Sequence, residues 1–164
     1  MHVRRAAVAD ASAIAAVHTG TWQAAYEHVF GAERLAGLDA DLRRAGWERG
    51  IASGETVFVA EDDGRVVAFV SVGSSREPGG LGELYAIYAA PEAWGSGAGT
   101  ALMRTGLEAL RDAGYAEAIL WVLEDNPRAR RFYEREGWTL DGARKEDEFL
   151  GVCVPEVRYR IRLD

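Results

Sequence analysis

The sequence predicts an α+β fold, an α/β sandwich in which a mixed, mostly antiparallel sheet of six to seven strands is flanked by about four helices. A hairpin pattern in the first half of the chain favours antiparallel pairing. An alternation of strand and helix patterns in the second half favours a sheet with helices packed on it. Hydrophobic residues make up 48% of the chain and charged residues 27%, which is the composition of a globular protein.

In the first half, residues 3–6 predict a short strand, and Ile14, Val17 and Thr21 then recur at helical spacing. A second helical stretch is predicted over residues 33–49. Two apolar runs, residues 56–61 and 65–72, flank the turn sequence Asp62-Asp63-Gly64, so they predict a β-hairpin.

In the second half, residues 83–89 predict a strand that ends at Pro91. Residues 97–113 place Leu102, Met103, Leu107 and Leu110 on one helical face and are followed by Gly114, a typical helix stop. A nearly continuous apolar strand is predicted over residues 118–123, a helix opens at Asn126-Pro127 and closes at Gly137, and the last strands are 138–140 and 156–163.

Length and composition predict one domain spanning residues 1–164. The net charge of −7 argues against nucleic acid as a partner, because nucleic-acid binding requires clustered cations. No apolar run approaches the ~20 residues needed to cross a bilayer, and the N-terminus lacks an apolar signal segment, so no membrane association and a cytoplasmic location are expected.

The few cysteine and histidine residues predict no metal site. Cys153 is the only cysteine, and we expect it to be a small buried apolar side chain. His2 is terminal, and His18 and His28 are ten residues apart, which is not a metal-ligand spacing.

A glycine-rich loop, residues 91–99, joins the predicted strand 83–89 to the helix that follows. Gly95, Gly97 and Gly99 leave backbone N–H groups accessible at a helix N-terminus, where the helix dipole favours an anion such as pyrophosphate. A dinucleotide fingerprint fails because Thr100 stands where its third glycine is required, and a P-loop fails for want of a lysine before Thr100. A flexible connection that binds nothing stays open for the loop alone.

Together with a second motif, the loop resembles the GCN5-related N-acetyltransferase superfamily. The second motif runs Asn126-Pro-Arg-Ala129-Arg-Arg-Phe132-Tyr133-Glu-Arg-Glu-Gly137-Trp138. Trp94 stands where that family often has Gln or Arg, so a phosphate contact is missing there, and Arg128, Arg130 or Arg131 are alternative sources of positive charge.

The resemblance implies acetyl-CoA as co-substrate and assigns its binding residues. The backbone of Ile87, Tyr88 and Ala89 would pair with the pantetheine arm like an added strand. The other implied cofactor contacts are Gly95, Ser96, Gly97, Ala98, Gly99, Thr100, Asn126 and Tyr133. Asn126 is equally suited to be a helix N-cap, and the two roles are compatible.

Two catalytic residues are implied by the same resemblance. Acetyl transfer needs a neutral amine, and Glu83 is the predicted base, with a water chain as the alternative proton acceptor. The alternative role for Glu83 itself is an exposed strand-end carboxylate. Tyr133 would lie near the thioester sulfur and protonate the leaving thiolate, with core packing as the alternative.

The implied function is an N-acetyltransferase that moves an acetyl group to a primary amine by direct attack in a ternary complex. A weaker likeness to small-molecule and amino-acid-like N-acyltransferases implies a small-molecule acceptor and places Trp22, Tyr26 and Glu156 in its pocket. A non-catalytic acyl-CoA sensor and a protein N-terminal or lysine acetyltransferase are the alternatives, and a homodimer is compatible with the sequence.

Overall fold

One seven-stranded sheet organises the chain. The computed structural model describes all 164 residues, and the strands lie in the order β1-β2-β3-β4-β5-β7-β6. Only β4 and β5 pair in parallel, so the prediction of a mixed, mostly antiparallel sheet is confirmed. The strands are β1 (His2–Arg5), β2 (Thr56–Asp62), β3 (Arg65–Ser74), β4 (Gly82–Ala89), β5 (Glu117–Leu123), β6 (Thr139–Phe149) and β7 (Val152–Arg162).

Six α-helices accompany the sheet. They are α1 (Ala11–Ala25), α2 (Glu27–Phe30), α3 (Ala32–Ala36), α4 (Ala40–Ala52), α5 (Ala98–Asp112) and α6 (Pro127–Arg135), with single 3-10 turns at Val8–Asp10 and Pro91–Ala93. None of them combines the length and the hydropathy that a membrane crossing requires.

The prediction of a single helix over residues 33–49 is wrong, because the helical conformation is interrupted between α3 and α4. Gly37 follows the last residue of α3, and Asp39 begins α4 as its N-cap. The Asp39 carboxylate accepts hydrogen bonds from the backbone N–H groups of Asp41 and Leu42 at 2.9 and 3.2 Å. This cap satisfies first-turn donors that a continuous helix would have bonded internally.

The last two strands are longer than the predicted 138–140 and 156–163. β6 and β7, of 11 residues each, form a hairpin whose turn uses positive φ at Leu150 (51°) and Gly151 (78°). β6 is the outermost strand and has no buried residue, so its sequence lacks the apolar alternation that identifies a half-buried strand. Cys153 pairs with Glu148 in this hairpin and is exposed, so the expectation of a buried cysteine is wrong.

Apolar side chains cover both faces of the sheet. α5 packs Leu102, Met103 and Leu110 on one face, and α1 packs Ile14 and Val17 on the other. A third cluster, which we call the aromatic cluster, joins α1–α3 to β5 and β7 through Trp22, Tyr26, Phe30, Leu35, Leu123 and Val154.

A gap opens in the middle of the sheet. β4 and β5 pair only at Gly82 with Ala118 and at Glu83 with Ile119, near the start of each strand. Beyond these pairs the two strands separate, which leaves backbone groups on β4 without a neighbouring strand. The position where parallel strands part is a common place for a ligand cleft.

Candidate active site

A cavity of about 940 Å³ occupies the gap between β4 and β5. Most of β4 and the carboxyl-terminal half of β5 form its walls. The loop before α5, the first turn of α5, helix α6, the end of α1 and single residues of α2, β6 and β7 complete it. Most predicted site residues line this cavity: Trp22, Tyr26, Ile87, Tyr88, Ala89, Gly95, Gly97, Gly99, Thr100, Asn126, Tyr133 and Glu156. Ser96, Ala98 and Glu83 do not.

The N-terminus of α5 faces the cavity with free backbone donors. Gly97 is the N-cap residue, has a left-handed φ of 90° and carries no capping side chain. The first N–H groups of a helix have no partner within the helix, and together with the helix dipole they favour an anion. Nothing lies within 4 Å of a Cβ built on Gly97, so this position is open toward the cavity.

Ser96 and Ala98 shape the loop from outside the cavity. The Ser96 hydroxyl donates to the carbonyl of Ala93 at 2.5 Å, and Ala98 is 1% exposed in the core under α5. Their backbone N–H groups are also used, since Ser96 donates to the Ala93 carbonyl at 3.2 Å and Ala98 donates to the Ser96 hydroxyl at 3.4 Å. These two residues therefore hold the turn.

Gly99 lines the cavity and also lies against α6. A Cβ on Gly99 would lie 3.2 Å from two ring atoms of Phe132. The absence of a side chain at this position therefore lets α6 approach α5.

Three arginines on α6 form a positive wall. Arg128, Arg131 and Arg135 all line the cavity, at spacings of three and four residues that place them on one helical face. Burial and the neighbouring charges of Arg135 and Arg131 lower the pKa of Arg128. Arg128 also stands in the first turn of α6, where the helix dipole disfavours a cation.

Trp94, the departure from the family pattern, is the surface on which Arg128 rests. The guanidinium carbon of Arg128 lies 3.6 Å from the centroid of the Trp94 ring, a cation–π contact. The indole N–H of Trp94 donates to the carbonyl of Ala89 at 2.8 Å and fixes the ring. The tryptophan thus positions a cation at the place where the family pattern often supplies a polar side chain of its own.

The edge of β4 offers backbone groups to a ligand, although not at every predicted residue. The Ala89 carbonyl already accepts from Trp94 and, at 3.1 Å, from the Thr21 hydroxyl. Both of its lone pairs are therefore used. Ala90 donates its N–H to the carbonyl of Val67 on β3, so by the alternation of an antiparallel pair the backbone of Tyr88 also faces β3. Ile87 and the N–H of Ala89 are left as the backbone groups available to a strand-like arm.

Tyr133 presents a protonated and unpaired phenol to the cavity. Its ring is 7% exposed and lies near the rings of Phe132, Trp138 and Tyr159. Its hydroxyl makes no hydrogen bond within the protein, and burial raises its pKa above the usual range for tyrosine. The hydroxyl therefore keeps its proton at neutral pH and is free to donate it to a ligand.

Asn126 connects α6 to the aromatic cluster. Its side-chain oxygen accepts from the N–H of Ala129 at 3.2 Å, which makes it the N-cap of α6. Its amide nitrogen donates to the hydroxyl of Tyr26 at 2.9 Å. Asn126 is thus an N-cap that also orients a cavity-lining tyrosine.

Glu156 is the only carboxylate among the residues that line the cavity. It lies on β7 opposite Leu123 and Lys145 and is 6% exposed. Burial raises its pKa, an effect that the nearby ammonium of Lys145 partly offsets. The Glu156 carboxylate therefore takes up a proton at a higher pH than an exposed glutamate does.

Glu83 lies at the start of β4 and does not line the cavity. Its carboxylate accepts from the Ser75 hydroxyl at 3.1 Å, and burial raises its pKa. The negative charge of Glu83 in turn raises the pKa of Glu156, so the two carboxylates are close enough to interact. Direct contact with a ligand in the cavity falls to Glu156.

Sequence reasoning missed Trp121 and Lys145. Trp121 lines the cavity from β5, and its indole N–H donates to Glu77 at 2.9 Å. The ammonium nitrogen of Lys145 lies 4.4 Å from the Trp121 ring centroid and 3.9 Å from Glu156. The available signal was that Lys145 is the only lysine in the chain.

Sequence comparison matches the chain to one protein family and to individual relatives. The sequence profile of the acetyltransferase (GNAT) family matches residues 20–138. An uncharacterized N-acetyltransferase from Bacillus subtilis, YuaI, is 38% identical over 128 residues, which are 76% of this chain and 73% of that protein. A mycothiol acetyltransferase from Parafrankia is 48% identical over 67 residues, but these are 41% of this chain and only 21% of that protein.

Solved structures share the fold. The Salmonella typhimurium protein yncA, solved with its cofactor acetyl-CoA, superposes with a TM-score of 0.76 at 24% identity, over 100% of this chain and 94% of the other.

Proposed function

Because the chain belongs to the GNAT acetyltransferase family, and so to the acyltransferases, we propose that it transfers the acetyl group of acetyl-CoA to a primary amine of a small molecule. The amine attacks the thioester directly while both substrates are bound. The observation that carries this proposal is one cavity that combines an anion site, an unpaired phenol and a single buried carboxylate.

The anion site suits the pyrophosphate of acetyl-CoA. The free N–H groups at the start of α5 bind one side of a phosphate, and Arg128 on Trp94 supplies charge from α6. The three like charges on α6 repel each other. A bound polyanion relieves that repulsion, which explains why arginines are gathered there.

The gap in the sheet suits the pantetheine arm. An extended arm between β4 and β5 satisfies backbone groups of Ile87 and the N–H of Ala89 in the manner of an added strand. The arm then brings the thioester toward Tyr133, which lines the same cavity.

Glu156 is the group we assign to take the proton from the amine. It faces the cavity and is buried, and its raised pKa makes it a stronger base than an ordinary glutamate. Glu83, the base implied by the resemblance, has an indirect role, because its negative charge contributes to the raised pKa of Glu156.

Tyr133 stabilises the leaving thiolate by donating a hydrogen bond. A thiol has a pKa of about 8.5, whereas burial raises the pKa of Tyr133 above its ordinary value of about 10. Complete proton transfer from the phenol is therefore uphill. A hydrogen bond to the developing negative charge needs no such transfer and is stronger in the transition state than in the ground state.

The acceptor pocket is formed by the aromatic cluster and Glu156. Trp22 donates from its indole to the Tyr88 hydroxyl at 3.3 Å, and Tyr26 is held by Asn126, so both rings are fixed. A buried carboxylate beside rigid aromatic rings favours a compact primary amine attached to an apolar body.

The test is a panel of small amines and peptides incubated with acetyl-CoA, with acetylated product and free CoA both quantified by mass spectrometry. We expect equal amounts of product and CoA with one or more small primary amines. Binding of acetyl-CoA without CoA release for any acceptor would instead identify a sensor. Transfer to peptides alone would identify a protein acetyltransferase.

A further inference from the structure

The chain contains 18 arginines and one lysine, and that lysine lies beside Glu156, which lines the cavity. Lys145 is on β6 directly opposite Glu156 of β7, so the two side chains extend from the same face of the sheet. Apart from the N-terminus, Lys145 carries the only primary amine of the protein. An arginine side chain has no such amine and is not an acceptor for this chemistry.

The Lys145 ammonium contacts the two residues that suit an acceptor amine. Its nitrogen lies 3.9 Å from Glu156, the assigned base, and 4.4 Å from the centroid of the Trp121 ring. Both of these residues line the cavity. The lysine side chain is 42% exposed and has a flexible four-carbon stem, so the nitrogen can move along the Glu156 carboxylate.

We propose that Lys145 is a self-acetylation site: the protein transfers an acetyl group from bound acetyl-CoA to its own Lys145 nitrogen when no other amine occupies the cavity. This inference rests on the proposed function, because it uses the same cofactor and the same base.

The reaction balances without any further reagent. Glu156 takes a proton from the ammonium, and the freed lone pair attacks the thioester carbonyl. The carbon–sulfur bond breaks as the amide bond forms, and the thiolate leaves with a hydrogen bond from Tyr133. The second proton of the amine passes to the thiolate through solvent, so the products are N-acetyl-Lys145 and CoA.

Acetylation of Lys145 changes the surroundings of Glu156 and Trp121. It removes the positive charge that lowers the pKa of Glu156, and it leaves an acetamide against Trp121. The modification is a stable amide, so it accumulates to one acetyl group per chain and then stops.

The experiment incubates the full chain with acetyl-CoA and no added amine, and locates acetyl groups by intact mass and tryptic peptides. Trypsin does not cut after acetyl-lysine, so modification replaces the peptide 146–158 by 145–158. A variant, Arg162→Lys, places a second lysine on β7 at a site that is 77% exposed and outside the cavity. The lysine at position 162 reports the rate of uncatalysed acetylation by acetyl-CoA in the same molecule.

We expect Lys145 to be acetylated about 100-fold faster than the lysine at position 162, because binding holds the thioester near it. The rate per chain should not change on dilution, and Glu156→Gln should slow it at least ~10-fold while acetyl-CoA still binds. Equal rates at the two lysines, or a rate proportional to protein concentration, would overturn the inference.

Failure of this inference is distinguishable from failure of the proposed function. If Lys145 stays unmodified while the same sample acetylates added amines, the self-acetylation site is refuted and the proposed function stands. If acetyl-CoA yields no CoA with or without amines, both are refuted.

Discussion

Arg128→Ala should weaken acetyl-CoA binding without destabilising the protein. Arg128 stands in the first turn of α6, is repelled by Arg131 and Arg135, and is held at the cavity by contact with Trp94. We infer that a bound anion compensates for the unfavourable position of this cation.

The expected changes in affinity and in stability follow from the contacts that Arg128 makes. A charge-assisted hydrogen bond to a phosphate contributes about 1.5–3 kcal/mol, so its loss should raise the Kd for acetyl-CoA ~10- to 150-fold. The cation–π contact with Trp94 stabilises the folded chain by about 0.5–1 kcal/mol. Removing the cation from the helix N-terminus regains about 0.3–1 kcal/mol, so the free energy of unfolding should change little.

The assay is calorimetric titration with acetyl-CoA, together with urea denaturation of the free protein. Arg104→Ala is the matched control, because Arg104 is an exposed helical arginine on α5 that does not line the cavity. We expect wild-type affinity for the control. Wild-type affinity for Arg128→Ala, or a loss of stability equal to the loss of affinity, would refute the placement of the phosphates at this wall.

Three further substitutions test the other parts of the cavity. Tyr133→Phe should lower kcat ~10- to 100-fold with an unchanged Kd for acetyl-CoA, and a normal kcat would assign the hydroxyl to structure. Glu156→Gln should lower kcat/KM ~10²- to 10⁴-fold and abolish the fall in rate that we expect of the wild type as the pH drops through the raised pKa of Glu156. Because the fold raises that pKa, it favours the neutral form, so this variant should be at least as stable as wild type at neutral pH, and a lower Tm would contradict the assignment. Gly99→Val should cost about 1–3 kcal/mol of unfolding free energy through overpacking against Phe132, whereas unchanged urea denaturation would show that α5 and α6 have room to separate.

The sequence predicted features that depend on local patterns. The hairpin of β2 and β3 follows from two apolar runs around Asp63-Gly64, and the N-cap role of Asn126 follows from the residues that come after it. The cofactor-binding residues of the two motifs were predicted instead from their resemblance to the GNAT pattern, and most of them line the cavity.

Features that depend on contacts between distant segments were not predictable. Arg128 meets Trp94 only because α6 packs beside the loop before α5, and Gly99 is small because Phe132 approaches it. Lys145 was missed because β6 is an exposed edge strand whose charged residues lack apolar alternation. Its register against Glu156 appears only once the hairpin is known.

The central claim is that the gap between β4 and β5 binds acetyl-CoA, and calorimetric titration of the wild-type chain with acetyl-CoA in the absence of acceptor tests it most directly. We expect one molecule bound per chain, accompanied by a rise in Tm that increases with cofactor concentration. The absence of both heat and thermal shift at millimolar acetyl-CoA would contradict the claim.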